Sequence, residues 1–243
     1  MQMKLLQTTL NPDTIMLKDS LPTYPTPGVN DLSVDSNLEV DLVLSFIDKY
    51  VPDFPSYYQS VKDSSKENRI SDMLVHHFEL CKNETGGYFP FRFGKNPTQP
   101  ETDKETDIGV FVMTRNQKPL PIIEFEAKRF SESSNNKEYV YGVRGGIERF
   151  KRGYHSSHLK ICGMFGYVQN RTSSDWIEKV NDWIKELSES HIDPTIDWTD
   201  GKEELTKVDS FPLVEKLFSS HYRGLSKDRI LLWHYLIDLI GRN

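Results

Sequence analysis

Residues 121–128 read Pro-Ile-Ile-Glu-Phe-Glu-Ala-Lys, with apolar and charged side chains alternating at a period of two, the pattern of a half-buried β-strand. Ile123, Phe125 and Ala127 fall on one face; Glu124, Glu126 and Lys128 fall on the other. Neighbours on the charged face stand about 7 Å apart along the strand. Upstream, Thr106-Asp107-Ile108-Gly109 opens a second apolar run through Val110-Phe111-Val112-Met113. An aspartate at the head of one strand and Glu-x-Lys at the end of the next make a compact set of hard oxygen donors, suited to a divalent cation.

Around this pair the chain alternates between helical and extended patterns. Leu38, Leu42, Phe46 and Ile47 predict a helix over 38–50. Ile70, Met73, Leu74, His77, Phe78 and Cys81 predict a second helix over 66–81. Gly86-Gly87 breaks the chain before an expected strand at 88–93, and a polar loop over 94–105 leads to the Asp107 strand. Asn116 to Lys118 is the expected turn into the Glu-x-Lys strand. Val143, Ile147, Phe150 and Tyr154 predict a helix, and residues 160–168, apolar on both faces, predict an interior strand. Trp176, Ile177, Val180, Trp183, Ile184 and Leu187 mark a further helix over 174–187. A strand is expected at 205–211 and a closing helix at 227–240.

The fold class is therefore α/β, with a three-stranded meander followed by a strand-helix-strand crossover. Three regions are expected: an irregular arm over 1–37, which holds the Pro22 to Pro27 cluster; a core over 38–190; and a C-terminal extension over 191–243 packed on it.

In the 243 residues, 37% are hydrophobic and 27% charged, which suits a globular protein free of membrane spans. The N-terminus lacks the apolar core of a signal peptide, and two cysteines make neither a zinc spacing nor a disulfide framework, so a cytoplasmic location is expected. The net charge of −6 excludes a broadly basic surface. Any grip on a polyanion must be local, metal-assisted or shared with a partner.

Thr106-Asp107 and Glu126-Ala127-Lys128, on consecutive strands of this order, resemble the PD-(D/E)xK, or restriction-endonuclease-like, nuclease superfamily. Threonine stands where the family motif has proline. The resemblance covers residues 66–168 and implies that family's core: helix, three-stranded meander, helix and strand, in a mixed sheet flanked by helices. It implies a metal-dependent endonuclease, DNA favoured over RNA, with Mg²⁺ as cofactor and Mn²⁺ as substitute. Asp107, Glu126 and Lys128 would be catalytic, and Asp107, Glu126, the Ala127 carbonyl and Glu67 would hold the metal. Glu124 would ligate or support from the same face. A bacterial defence or restriction setting follows, with nucleic acid and a second copy or a partner protein (an ATPase, helicase or other defence subunit) as partners.

Competing readings stand beside these. The charged strand face is otherwise a solvated i, i+2 ion pair. Glu67 is otherwise part of a Ser64-Ser65-Lys66-Glu67 capping box. Arg144, Arg149, Lys151 and Arg152 form the densest basic cluster, a candidate phosphate grip beside Gly145-Gly146, or else a solvated helix face. His155 and His158 sit in a loop, against phosphate or nothing. A non-catalytic binding or assembly subunit and an RNA-cleaving nuclease are the rival functions.

Overall fold

The structure is a computed structural model that describes residues 38–98, 105–112, 120–142, 144–190, 196–198 and 203–241. The expected arm over 1–37 and the turn at 116–118 lie outside the described residues. Leu38 to Asn243 forms one compact unit, with no division at 190.

Helices α1 (Leu38–Tyr50), α2 (Phe54–Val61) and α3 (Glu67–Glu84) precede the strands. The periodic stripe of α3 is buried as its spacing predicts. In α1 the buried apolar residues are Val40, Val43, Leu44, Phe46, Ile47 and Tyr50, so Phe46 and Ile47 are buried as expected while Leu38 is exposed. Strands β1 (Phe91–Lys95), β2 (Ile108–Val112) and β3 (Pro121–Phe130) form the antiparallel meander. Then α4 (Gly146–Lys151) crosses to β4 (Ile161–Val168), which pairs with β3 in parallel. Helix α5 (Ser173–Ser190) follows, then β5 (Thr206–Phe211), β6 (Val214–Arg223) and β7 (Asp228–Asp238). Among the described residues the strands make one mixed, seven-stranded sheet in the order β1-β2-β3-β4-β7-β6-β5.

The expected closing helix over 227–240 is strand β7, and it lies in the middle of the sheet rather than outside the core. Ile230, Leu231, Leu232, Tyr235, Leu236 and Ile237 are all buried, so both strand faces are apolar and carry no period of two. Such a run reads equally as a buried helix. The expected strand at 205–211 is present as β5. The C-terminal strands are tied to the first helix: Lys216 Nζ donates to Asp48 Oδ2 at 2.7 Å and Tyr235 donates to Asp48 Oδ1 at 2.8 Å, all buried.

Helices α1, α2 and α3 share one core with the sheet face that carries Phe125, Ala127, Phe165 and Tyr235. Helices α4 and α5 share a second with Met164, Leu217, Leu232 and Leu236. Gly163 of β4 lies under the Phe125 ring; an added Cβ would meet ring carbons at 2.3 Å, so only glycine allows β3 and β4 to pack this way.

A buried hydrogen-bonded chain crosses the second core. Tyr139 Oη meets His234 Nδ1 at 2.9 Å, and Ser219 Oγ lies 2.7 Å from both His234 Nε2 and His221 Nε2. His221 Nδ1 faces Glu203 Oε2 at 3.4 Å, and Glu203 takes an ion pair from Lys151. Burial pushes both histidines below their ordinary range, so both are neutral. Burial opposes ionisation of Glu203, yet His221 and Lys151 hold its carboxyl below the usual range. The hydrogen-bond donors point one way, from Tyr139 through His234 and Ser219 to His221, whose Nδ1–H faces the Glu203 carboxylate as an electrostatic contact.

The fork in the sheet positions the functional site. Strand β2 leaves β3 after the Ile108–Phe125 pair, whereas β3 continues along β4 to Phe130–Val168. Past Phe125 the backbone groups of Ala127 and Arg129 on the vacated side need other partners.

Candidate active site

Carboxylates fill the fork. Asp107, just before β2, accepts the Ala127 N–H through Oδ2 at 2.7 Å. Glu67, at the start of α3, accepts the Arg129 N–H through Oε2 at 2.9 Å. The capping-box alternative for Glu67 is therefore not realised: the N-cap residue Lys66 makes no side-chain cap bond, and Glu67 reaches across to β3.

The charged face of β3 is buried rather than solvated. Glu124 is 0% exposed, Glu126 2% and Lys128 9%, because α4 and the loop after it cover that face. The solvated ion-pair alternative is excluded. Lys128 Nζ donates to Glu126 Oε1 at 2.8 Å and to the Ala127 carbonyl at 3.0 Å, and stands 3.6 Å from Glu67 Oε1. Burial works against its charge, but Glu126, Glu67 and Asp107 outweigh that and raise its pKa, so it remains an ammonium ion. Burial, then repulsion from Glu126, push the Asp107 carboxyl up to about 6. Burial likewise raises Glu67 against the pull of Lys128.

Two residues complete the surroundings of Glu126. Arg149 Nη1 donates to its Oε1 at 2.8 Å, and His155 Nδ1 lies 3.7 Å from its Oε2. His155 is 3% exposed. The signal in the sequence was Gly153, whose φ of +67° turns the chain back so that a loop histidine faces β3. Glu124 accepts from Ser156 Oγ, anchoring that loop to the strand.

The expected basic helix is different from its reading. It spans six residues, and Lys151 is fully buried against Glu203 and the Trp198 ring. Lys151 is therefore a structural cation, not a phosphate contact. Arg149 is engaged by Glu126, and Arg152 Nε pairs with Glu148 at 2.6 Å. Gly145 and Gly146 are buried, and a Cβ at Gly146 would meet Met164 Cε at 2.4 Å, so they admit neighbouring chain rather than ligand. Arg144 alone of the four is exposed. Lys151→Met is expected to lower stability by roughly 3 kcal/mol, since it leaves the Glu203 charge buried with one fewer partner. A thermal melt shifted down by roughly 10 °C, with substrate affinity of the folded protein unchanged, is the expected result.

Mg²⁺ was expected at Asp107, Glu126 and the Ala127 carbonyl. Among the described residues no group of three or more acidic, histidine or cysteine side chains is arranged to hold a metal, and Glu67 is directed to the Arg129 N–H and to Lys128. The remaining donors still fit a hard cation that keeps several waters, because two carboxylates and a carbonyl are all oxygen. The Lys128 ammonium already rests on Glu126 Oε1 and the Ala127 carbonyl, so these oxygens form a cation-accepting edge.

No protein-family model, curated protein or solved structure matches this chain. No helix among the described residues is long and apolar enough to cross a membrane.

Proposed function

We propose that this protein is a metal-dependent endonuclease with a restriction-endonuclease-like core that hydrolyses phosphodiester bonds, DNA before RNA. One observation carries the reading: Asp107, Glu126 and Lys128 converge on the edge of β3 that β2 vacates, inside a helix, meander, crossover and strand. Asp107, Glu126 and the Ala127 carbonyl would hold Mg²⁺, which supplies Lewis-acid polarisation of the phosphate and a more acidic water. Lys128, kept protonated by its carboxylate neighbours, cannot act as a base. It orients the attacking water and offsets the charge that develops on the phosphoryl oxygens. Arg149 holds Glu126 through Oε1, and Glu67 holds β3 and Lys128. The water oxygen bonds to phosphorus and gives up a proton to solvent, while the bond to the leaving oxygen breaks on the opposite side and that oxygen takes a proton from solvent. A bacterial defence setting, with a second copy or a partner such as an ATPase or helicase, is the biological context that the family resemblance implies.

Supercoiled plasmid, linear duplex, single-stranded DNA and RNA, each with Mg²⁺, Mn²⁺ or EDTA, test the reading. DNA cleavage with either metal, abolished by EDTA and by Glu126→Gln, is expected. Cleavage of RNA alone would replace DNA as the substrate. Cleavage that persists in EDTA or in Glu126→Gln would overturn the reading.

A further inference from the structure

Beside the fork lies a cleft of about 450 Å³ between the first turn of α3 and the segment that follows β3. Glu67 and Lys128 are among its lining residues, so it adjoins the proposed reaction centre. Its walls carry Lys66, Arg129 and Arg144, with Ser133 and Asn135 between them. Lys66 and Arg144 are exposed, and among the described residues neither is engaged in an ion pair. Arg69, also in the wall, is different: Asp63 and Asp72 already hold it, at 2.6 and 3.0 Å. The first turn of α3, which makes no side-chain cap bond, faces the same space.

The cleft is sized and lined for backbone rather than for base. At about 450 Å³ it has room for one sugar-phosphate unit and not for the two strands of a duplex. Its one aromatic, Tyr139, is 1% exposed and offers no face for stacking. Cations, hydroxyls and amides match phosphate and sugar oxygens, which position a strand without reading its sequence. Two carboxylates, Glu67 and Glu138, share the lining and disfavour any ligand group with dense negative charge, such as a terminal phosphate, relative to a singly charged diester.

We infer that this cleft holds the phosphodiester next to the scissile one, from a single unpaired strand, gripped by Lys66, Arg129 and Arg144 without base preference. The inference rests on the nuclease reading of the adjoining site. It moves the polyanion contact from α4, where the cations are engaged within the protein, to the start of α3 and the loop after β3.

The test measures binding, apart from cleavage. Asp107→Asn protein in EDTA is titrated with fluorescent single-stranded and duplex oligonucleotides over a range of salt. Lys66→Ala with Arg144→Ala, in that background, should weaken single-strand binding about tenfold and flatten the salt dependence by about 1.4 in log–log slope. Lys160→Ala with Lys185→Ala, which removes the same charge from exposed positions elsewhere, should change affinity less than twofold. Scrambled sequences should bind alike. Equal losses in the two double variants, tighter duplex than single-strand binding, or no measurable binding would overturn the cleft assignment. If wild-type protein cuts nothing while the binding pattern holds, the nuclease reading fails and the cleft stands as a strand-binding site.

Discussion

Asp107→Asn is expected to melt roughly 5 °C higher than wild type at pH 7.5 and to cleave nothing. The carboxyl is pushed up to about 6 from an ordinary 3.8, first by burial and then by Glu126. Ionising it inside the folded protein therefore costs on the order of 2 kcal/mol at neutral pH. For a protein of this size that corresponds to several degrees. Asparagine keeps an oxygen to accept the Ala127 N–H, so the capping bond survives while the charge goes. The sign follows from proton binding. Between about pH 4 and 6 the folded state holds the Asp107 proton more tightly than the unfolded chain, so this group's contribution falls as pH rises through that window. His221 and His234 act the other way: their folded pKa values are depressed by burial, so stability is lost as pH falls below about 6.5. The wild-type profile should be shallow between pH 4 and 6.5, where the two slopes oppose. The asparagine variant should fall more steeply towards acid. Thermal melts at pH 5.0 and 7.5 check this, and a variant that melts lower than wild type at both would show that Asp107 carries no such strain.

Lys128→Met should lower turnover by about 10²- to 10³-fold, the usual effect of removing one group aimed at charge that develops in the transition state. Affinity for single-stranded oligonucleotide in EDTA should stay within about threefold, because one ammonium is a small part of a multi-phosphate contact. Lysine also links Glu126 Oε1 to the Ala127 carbonyl, but Arg149 still holds that carboxylate. Stability should therefore drop by roughly 2 kcal/mol, less than for a buried charge left without any partner. Steady-state kinetics beside a binding titration separates the two effects. Undiminished turnover would remove Lys128 from the reaction and leave it as a strut of the fork.

The strand that carries Glu124, Glu126 and Lys128 was legible because it alternates, and an alternating strand announces its two faces. What the alternation could not say is that the charged face is covered. That cover is α4 and the His155 loop, whose approach depends on a turn at Gly153 and on the packing of Gly146 against Met164. Burial of Lys151 was hidden for a related reason: its partner Glu203 lies far along the chain, in a segment with weak periodicity. A lysine among arginines on a short helix looks like a basic patch until tertiary structure supplies a carboxylate. Strand β7 reads as a helix in the sequence because an interior strand is apolar on both sides and leaves no period to count. The family resemblance implies Glu67 at the site, but only the fork in the sheet explains what it bonds.

The fork has a bearing on solubility as well as on chemistry. A strand edge inside a diverging sheet is a template, with N–H and C=O groups spaced to receive any passing extended segment. In β3 that template is closed by Asp107 on the Ala127 N–H, Glu67 on the Arg129 N–H and Lys128 on the Ala127 carbonyl. Charged side chains of this kind bind the edge without offering an edge of their own, so pairing stops there. The groups assigned to phosphodiester hydrolysis thus double as the guard against strand addition. Selection for an uncharged site would expose the middle of the sheet to other chains.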